Sequence, residues 1–299
     1  MTRSVVVTGA TSGIGLYTAL ELSSSGFDVI GTARSEEKAA ALRKTAERNG
    51  LGVRTVVLDV ADAESTVRGF TRIAALTDGG PWAVVNNAGV AQPGAVEDVE
   101  DEPAREQLEV NLLAPARITR LVLPAMRERG DGRIVNISSV SGRVSAPFLG
   151  WYCASKQALE ALTDALRIEV AQFGVRVVLV EPGSYGTQIW QRGLASMPKR
   201  ARSPYTQAYA LAAELIRHSG ALPSPAPVAR TVRSALESPR PRPRYLVGTQ
   251  ARTRTAIEAL APTPVTDYVK SVATGLRTPP ERLGQLLERV SLPGSARRG

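Results

Sequence analysis

Short runs of apolar residues alternate with longer amphipathic stretches along most of the chain. The runs are almost continuously apolar, which is typical of strands that are buried on both faces of a sheet. Seven runs are predicted to be strands, at residues 5–7, 28–32, 53–60, 82–86, 133–138, 175–180 and 245–247. Strands that alternate with helical stretches form parallel sheets with helices on both faces. The pattern therefore predicts an α/β fold with a doubly wound parallel sheet of about seven strands.

Helical patterns fill the gaps between these runs, and six helices are predicted, at residues 15–25, 36–49, 64–77, 105–129, 152–173 and 227–237. The second of them has a clear start, because Ser35 is a good N-cap and the two glutamates after it suit the positive end of the helix dipole. Residues 188–226 break the rhythm, since they carry prolines, glycines and apolar side chains without a strand pattern. We expect this segment to be an insertion in the main domain.

Helical periodicity returns at residues 255–260 and 265–272, and a further short helix is predicted beyond Pro280. The tail from about Ser291 has little apolar surface to bury, so it is expected to be mobile. We therefore predict one main domain over residues 1–249 and a helical C-terminal extension over 250–299 that ends in this basic tail.

The composition is that of an ordinary globular protein, with 43% hydrophobic and 22% charged residues in a chain of 299. The first strand begins too early to leave room for a signal peptide. No apolar run approaches the roughly 20 residues of a membrane-spanning helix. One cysteine, Cys153, cannot form an internal disulfide, which suits a reducing compartment. We expect a cytoplasmic protein without a membrane span.

The net charge of +9 raises the question of nucleic-acid binding. Its excess lies in the C-terminal third, where residues 187–299 carry 18 Lys and Arg against 6 Asp and Glu. These arginines are separated, no long basic run appears, and few aromatic residues interleave with them. Nucleic-acid binding is therefore not predicted, because it needs clustered charge and stacking surfaces. Contact of the basic extension with a membrane surface stays open as an alternative.

A glycine-rich turn follows the first strand, with the sequence Thr8-Gly9-Ala10-Thr11-Ser12-Gly13-Ile14-Gly15. A strand, such a turn and a helix N-terminus together form an anion site, because free N–H groups and the helix dipole face the ligand. The glycines allow positive φ values and a close approach of the backbone. The turn predicts a dinucleotide site in a Rossmann-type sheet, although a glycine turn taken alone is also compatible with an ordinary loop.

The end of the second strand bears on the choice of cofactor. An acidic residue there binds the ribose 2′-hydroxyl and selects NAD, whereas this strand ends in Gly31-Thr32-Ala33 and is followed by Arg34. A guanidinium can pair with a 2′-phosphate, which a carboxylate would repel. Glu36 and Glu37 are better explained by the helix dipole. The sequence favours NADPH/NADP over NAD.

Tyr152 and Lys156 are four residues apart at the start of a predicted helix, so they project from one face of it. An amine near a phenol stabilises the phenolate and lowers the pKa of the tyrosine toward the working range of a general acid/base. Thirteen residues before Tyr152, Ser139 follows the fifth strand at the edge where open α/β sheets bind ligands. A lone pair of this kind is usually a surface feature, and only the wider pattern favours a catalytic one.

That wider pattern resembles the short-chain dehydrogenase/reductases. The motifs that carry the resemblance occur in the family's order from residue 4 to about 248: Thr8 to Gly15, Asp59, Asn86-Asn87-Ala88-Gly89, Asn111, Ser139, Tyr152, Lys156, Pro182-Gly183 and Thr187. Within the family, three segments are similar to the NADP-preferring hydroxysteroid and retinol dehydrogenase-like group: residues 31–34, 147–150 and 180–183.

The resemblance implies an NADPH-dependent oxidoreductase that moves hydride between the nicotinamide and a carbonyl or alcohol carbon. Tyr152 would be the general acid/base, Ser139 would stabilise the substrate oxygen, and Lys156 would hold the ribose and lower the pKa of Tyr152. Asn111 would support a water chain. Further cofactor contacts are implied for Gly9, Thr11, Ser12, Gly13, Ile14, Gly15, Arg34, Asp59, Val60, Asn86, Asn87, Ala88, Gly89, Pro182, Gly183 and Thr187.

The substrate is expected between the segment after Ser139 and the 188–226 insertion. Apolar residues available there are Val144, Pro147, Phe148, Trp151, Trp190, Leu194 and Met197, of which Val144, Phe148 and Trp190 are assigned to the substrate with Ser139. They favour a hydrophobic ketone, aldehyde or alcohol, unless several of them merely pack the insertion. The lone histidine, His218, has no ligand partners in its stretch, and no metal is predicted.

Three alternatives to this function stay open at the level of sequence: an NAD-linked alcohol dehydrogenase, a cofactor-binding sensor without turnover, and a membrane-surface protein that uses the basic extension. The family also implies a homodimer, formed by the helices predicted at 105–129 and 152–173. Apolar residues beyond those that the sheet needs, such as Leu159, Leu162 and Leu166, agree with it.

Overall fold

The computed structural model describes residues 3–198, 203–217 and 222–278. Within these ranges, seven strands form one sheet: β1 (Ser4–Val7), β2 (Asp28–Ala33), β3 (Val53–Val57), β4 (Ala83–Asn86), β5 (Gly132–Ile137), β6 (Val175–Pro182) and β7 (Arg244–Val247). Their order is β3-β2-β1-β4-β5-β6-β7, and every neighbouring pair is parallel. The predicted fold class is confirmed.

Helices cover both faces of this sheet. In chain order they are α1 (Gly13–Ser24), α2 (Glu36–Arg48), α3 (Ala63–Leu76), α4 (Asp101–Leu108), α5 (Ala114–Arg129), α6 (Gly150–Val170), α7 (Ile189–Ser196), α8 (Thr206–Arg217), α9 (Ala226–Glu237), α10 (Thr249–Leu260) and α11 (Thr263–Ala273). α1, α2 and α9 pack on one face, and α3, α5 and the end of α6 pack on the other.

Alternation along the strands explains the two hydrophobic cores. Val5 and Val7 of β1 point to the core under α1, while Val6 between them points to the core under α5. All three valines are fully buried, as a central strand requires. β1 and β4 are neighbours although two strands separate them in the chain. The direction in which successive strands are added to the sheet therefore reverses between β1 and β4. Ligands of open α/β sheets bind at such a switch point.

The helix predicted over residues 105–129 is interrupted. α4 ends at Leu108, and a π-helical segment, Glu109–Leu113, leads into α5. Pro115 lies in the first turn of α5 and has no N–H to donate to the carbonyl four residues before it, which is that of Asn111. Such π segments often accompany functional sites, because they redirect side chains without ending the helix.

The region after β6 contains more helix than its sequence suggests. α7 and α8 lie within the predicted 188–226 insertion, and the helical patterns beyond residue 248 form α10 and α11. Within the described ranges, no helix is both long and apolar enough to span a membrane. His218, the short helix predicted beyond Pro280 and the basic tail lie outside the described residues.

Candidate active site

A cleft of about 380 Å³ runs along the carboxyl edge of the sheet, above the point between β1 and β4 where the strand order reverses. The predicted site residues that line it are Gly9, Thr11, Ser12, Gly13, Ile14, Arg34, Asp59, Val60, Asn87, Ala88, Gly89, Ser139, Tyr152, Lys156, Pro182, Gly183, Thr187 and Trp190. Asp59 and Val60 reach it because β3 ends at Val57, three residues earlier than predicted. Residues that follow six different strands thus meet in one cleft.

Three of the predicted residues support the cleft without lining it. Gly15 packs beneath the glycine-rich turn, where an added Cβ would lie 2.3 Å from the carbonyl oxygen of Gly9. Asn86 is part of the sheet interior, and its Nδ2 donates to Oδ1 of Asn136 at 2.8 Å. Asn111 holds the loop after β4: its Oδ1 accepts from the N–H of Val90 at 3.0 Å and its Nδ2 donates to the Val90 carbonyl at 2.9 Å.

Val144 and Phe148, which were predicted to contact the substrate, do not line this cleft. Phe148 is buried in a separate small cluster, where its ring packs edge-on against Tyr205 at 5.8 Å and Tyr209 at 5.4 Å. Its φ of 64° belongs to the left-handed region and turns the side chain into that cluster. Phe148 therefore packs the insertion, as the alternative interpretation of these apolar residues had it.

The glycine-rich turn has the geometry of an anion cradle. Gly9 and Gly13 have φ values of 63° and 53°, which favour glycine. Within the described chain, the N-cap Ser12 makes no side-chain hydrogen bond to the first turn of α1. The N–H groups at the start of α1 therefore face the cleft uncapped, and the helix dipole adds to their attraction for an anion. The turn fits the pyrophosphate of a dinucleotide.

Side chains tie this turn to the next strand. The Thr8 hydroxyl accepts from the N–H groups of Asn87 at 2.9 Å and Ala88 at 3.0 Å, and it donates to the carbonyl of Val85. The Asn87 amide donates in return to the Thr8 carbonyl at 2.8 Å. These bonds fix the distance between the loops that follow β1 and β4.

Cations face the cleft beyond β2. Arg34 is exposed and lines it, and so does Lys38, one turn into α2, which the sequence prediction missed. Glu36, two residues after Arg34, is engaged by Arg43 at 2.7 Å. Lys38 lies four residues after Arg34, and this spacing was the signal in the sequence that both could face the cleft. Taken alone, Lys38 resembles an ordinary exposed helix residue. This end of the cleft can accept a phosphate.

The predicted catalytic pair lies at the inner end. Tyr152 and Lys156 are both buried, and Lys156 Nζ lies 6.0 Å from the centre of the Tyr152 ring. Nζ donates to the carbonyl oxygen of Ile137 at 3.0 Å, which anchors the amine to the end of β5. The other side of the Tyr152 ring meets Trp190 edge-on, with the ring centres 5.5 Å apart.

Burial dominates the acid–base properties of this pair. It raises the pKa of Tyr152 to about 12, and a hydrogen bond with Ser139 opposes the rise. This is the opposite of the predicted direction, because loss of hydration disfavours the phenolate more than the nearby groups favour it. Burial also lowers the pKa of Lys156 to about 8, and the charge of Glu160 opposes that fall. Tyr152 is therefore a protonated phenol near neutral pH.

Ser138 and Ser139 both reach the cleft but face different partners. Ser139 caps the short turn after β5, where its Oγ accepts from the N–H of Ser141 at 3.1 Å, and it bonds with Tyr152. Ser138 lies beside the carboxylate of Glu160, since an added Cβ on Gly142 would be 2.8 Å from both groups. The geometry places Ser139, rather than Ser138, against the tyrosine hydroxyl.

Polar side chains line the outer part of the cleft, and the sequence prediction missed them: Gln92, Glu106, Gln107, Gln188, Arg192 and Ser196. Gln107 is fully buried, and its Oε1 accepts from the N–H of Gln92 at 2.6 Å. Gln92 donates in turn to the carbonyl of Ser196 at 2.8 Å. The expected wall of apolar residues is therefore a mixed one, built where α4 and α7 meet.

Comparison with known proteins agrees with this arrangement. The family model for short chain dehydrogenase matches residues 3–197. "Uncharacterized oxidoreductase YusZ" of Bacillus subtilis (strain 168) is 41% identical over 196 residues, which cover 65% of this chain and 69% of that protein. "17-beta-hydroxysteroid dehydrogenase type 6" of Homo sapiens is 35% identical, over 89% of this chain and 87% of the relative. "Retinol dehydrogenase 16" of Homo sapiens is 34% identical, over 84% and 82%.

Solved structures extend the likeness. A short-chain dehydrogenase from Streptomyces avermitilis superposes with a TM-score of 0.77 at 32% identity, over 92% of this chain and 98% of that one. A metagenomic short-chain oxidoreductase in complex with NADP gives 0.65 at 28% identity, over 82% and 96%. A short chain dehydrogenase/reductase from Burkholderia phymatum in complex with NAD gives 0.74 at 25% identity, over 88% and 96%.

Proposed function

The chain belongs to the short-chain dehydrogenase/reductase family and is an oxidoreductase that uses a nicotinamide cofactor; on that premise we propose that it is an NADPH-dependent carbonyl reductase or alcohol dehydrogenase with Tyr152 as its general acid/base. The observation that carries the proposal is the convergence of Tyr152, Ser139 and Lys156 at the inner end of the cleft. The cofactor, when bound, supplies or accepts the hydride.

The three side chains divide the work on the substrate oxygen. The buried, protonated Tyr152 donates its proton to the carbonyl oxygen as negative charge develops there, and it takes the proton back from an alcohol in the reverse direction. Ser139, which bonds with Tyr152, donates to the same oxygen. Lys156 holds the nicotinamide ribose and presents a cation to the phenol. A protonated phenol is the form that reduction needs, and burial keeps Tyr152 in that form near neutral pH.

Two further assignments concern the protons and the cofactor. Asn111 lies in the π segment and donates from Nδ2 to Ser155 at 3.0 Å, so it fixes the base of the catalytic helix as well as the loop after β4. Its Oδ1 and Lys156 Nζ both lie beside Gly89, which suits a relay that returns protons to Lys156. At the end of the cleft beyond β2, Arg34 binds the 2′-phosphate, with Lys38 as a second cation, so the preferred form is NADPH.

The mixed wall of the outer cleft bears on the substrate. Trp190 covers the ring of Tyr152 and supplies an apolar surface beside the reacting carbon. Gln92 and Arg192 offer polar contacts further out. We assign the substrate as a hydrophobic ketone, aldehyde or alcohol that carries a polar group away from the reacting carbon. Hydroxysteroids, which the name of one relative suggests, belong to this class, whereas the retinol in the name of another has its single oxygen on the reacting carbon.

Three points of organisation complete the proposal. Residues 1–249 form the catalytic domain, residues 188–226 cover the substrate, and residues 250–299 form the extension. Two copies associate through α5 and α6, where Leu121, Leu162 and Ile168 are exposed. Leu159 and Leu166, which the sequence assigned to this surface, are buried instead. Light scattering at micromolar concentration should give the mass of a dimer, and a monomer would contradict this assignment. The enzyme works in the cytoplasm.

A substrate panel tests the reaction itself. Steroids, retinoids, and aliphatic and aromatic ketones are each incubated with NADPH and then with NADH, and the loss of the nicotinamide absorbance is followed. We expect turnover of hydrophobic ketones that carry a second polar group, with NADPH as the better cofactor. Cofactor binding without turnover of any carbonyl or alcohol would contradict the proposal and favour a sensor.

A further inference from the structure

A cluster of charged side chains lies directly behind the active site. Arg244, the first residue of β7, contacts three carboxylates: Glu160 and Asp164, one turn apart on α6, and Glu181 on β6, at 3.0 Å. Arg143, in the turn after Ser139, forms a second pair with Glu181, with its Nε 2.6 Å from Oε2. The proposed chemistry uses none of these groups.

Two of these carboxylates are buried. The side chain of Glu181 is 0% exposed and that of Glu160 is 7% exposed, whereas Asp164 is 39% exposed. A buried charge is costly unless it is paired, so the cluster needs a reason beyond stability. Glu181 has such a role, because its ion pair with Arg143 holds the turn that carries Ser139. Glu160 lies one helical turn beyond Lys156, which points to a role at the amine.

The surroundings of Lys156 are nearly free of charge. On its own helix, the amine faces the ring of Tyr152 and is under the influence of the charge of Glu160, one turn further along. From β5 it meets only the carbonyl of Ile137, and Gly89 and Asn111 lie on the side of the β4 loop and the π segment. Within the described ranges, Glu160 is thus the single anion whose charge acts on the buried amine.

We propose that Glu160 is a positioning residue that keeps the Lys156 amine in its charged form, and that Arg244 holds the Glu160 carboxylate in place for this purpose. The inference rests on the proposed function, in which the phenol of Tyr152 works beside a cation. Burial pulls the pKa of Lys156 down to about 8, and Glu160 opposes this fall. Burial also raises the pKa of Glu160, which Arg244 opposes. Each group thereby supports the charged form of the next.

The sign of the effect follows from this chain of charges. Without the anion, less opposes the effect of burial, so the pKa of Lys156 falls further. At pH 7 the amine is largely charged in the unaltered protein, and it loses much of that charge when the anion is removed. The alkaline limb of the pH profile for carbonyl reduction moves to lower pH by the same amount, while the rate near pH 6 changes little.

The test is a direct titration of Lys156. The chain has five lysines, so ¹³Cε-lysine labelling gives few NMR signals, and the Lys156→Arg variant identifies the relevant one. The variant is Glu160→Gln, and the matched control is Asp164→Asn, which loses a carboxylate that also contacts Arg244 but lies a turn further from Lys156. Glu160→Asp keeps the charge and should restore the midpoint.

We expect the Lys156 midpoint to fall by about 1 pH unit in Glu160→Gln and to stay unchanged in Asp164→Asn. An unchanged midpoint in Glu160→Gln, or an equal shift in both variants, would overturn the proposal. Should Glu160→Gln fail to fold, the double variant Glu160→Gln/Arg244→Gln removes the pair together, because Arg143 still holds Glu181 and Arg167 still holds Asp164 at 2.7 Å. A shift of the same sign but smaller size is expected there, because the Arg244 cation is lost together with the anion.

The NMR titration needs no substrate, so it separates this proposal from the proposed reaction. A shifted midpoint in a protein that turns over no carbonyl would support the role of Glu160 and count against the reductase assignment. Turnover with an unmoved midpoint would do the reverse. For an active enzyme, kcat/KM is measured from pH 6 to 9, where a loss of rate that is equal at every pH would mean that Glu160 serves the fold alone.

Discussion

The two ends of the cleft are built from different material. At the cofactor end, backbone does most of the work: the turn over Gly9 to Gly13 presents N–H groups, and Thr8 holds the neighbouring loop through hydrogen bonds of 2.9 and 3.0 Å. At the substrate end, side chains from α4, α7 and the loop after β4 form the wall. A wall made of side chains can change with each substitution, whereas a backbone cradle keeps one ligand. The cofactor site is thus held constant by backbone, whereas the substrate site can be altered by substitution.

The strongest way to probe this division is at the junction between the two ends. Tyr152→Phe removes one hydroxyl and leaves the ring against Trp190 in place. We expect kcat to fall by about 100- to 10,000-fold, because general acid/base groups contribute that much. The dissociation constant for NADPH, measured by fluorescence titration, should stay unchanged. Retention of half the activity would remove Tyr152 from the mechanism.

A smaller effect is expected at the far cofactor end. A charge-assisted bond to phosphate contributes about 1.5–3 kcal/mol, so Arg34 should give NADPH a preference of about ten- to a hundredfold over NADH. Arg34→Asp should reverse it, and Lys38→Ala should reduce it by less. Lys44→Ala, on the same helix but away from the cleft, is the control. The readout is the dissociation constant of each cofactor at fixed ionic strength, and an unchanged ratio in Arg34→Asp would place the 2′-phosphate elsewhere.

The mildest change concerns two aromatic residues that the sequence treated alike. Trp190→Ala should raise KM by about tenfold with little change in cofactor binding, because it removes an apolar wall beside the reacting carbon. Phe148→Ala should instead lower stability by about 3 kcal/mol, through loss of its contacts with Tyr205 and Tyr209. Steady-state kinetics and thermal melts distinguish the two. A large KM effect in a stable Phe148→Ala variant would return Phe148 to the substrate site.

The contrast between the two ends also explains how far sequence reasoning reached. The sheet and the cofactor turn could be predicted because their signals are local: apolar runs, glycine spacing, and a tyrosine and a lysine one helical turn apart. Phe148 could not be placed, since its partner Tyr209 lies 61 residues further along the chain. Gln107 resembled a surface glutamine until its bond to Gln92 placed it in the wall.

Other departures have the same origin in distant or structural partners. The break in the predicted 105–129 helix depends on Pro115, and a proline near a predicted helix start does not by itself announce a π segment. The direction of the Tyr152 pKa shift depends on how deeply the ring is buried, which spacing along a helix does not reveal. The charges behind Lys156 depend on Arg244, on the last strand of the sheet.

Arg244 has a consequence for the order in which the protein is made. It lies 63 residues after Glu181 and 84 residues after Glu160 in the chain. Synthesis proceeds from the N-terminus, so both acids leave the ribosome well before the cation that they share. Glu181 already has Arg143 as a partner, but burying Glu160 unpaired costs about 3–5 kcal/mol, which disfavours closure of the catalytic helix on the sheet until β7 arrives. A ribosome-bound chain that stops short of residue 244 should therefore hold a formed glycine cradle and an unfinished catalytic side, so the active site becomes competent only when synthesis of the sheet is complete.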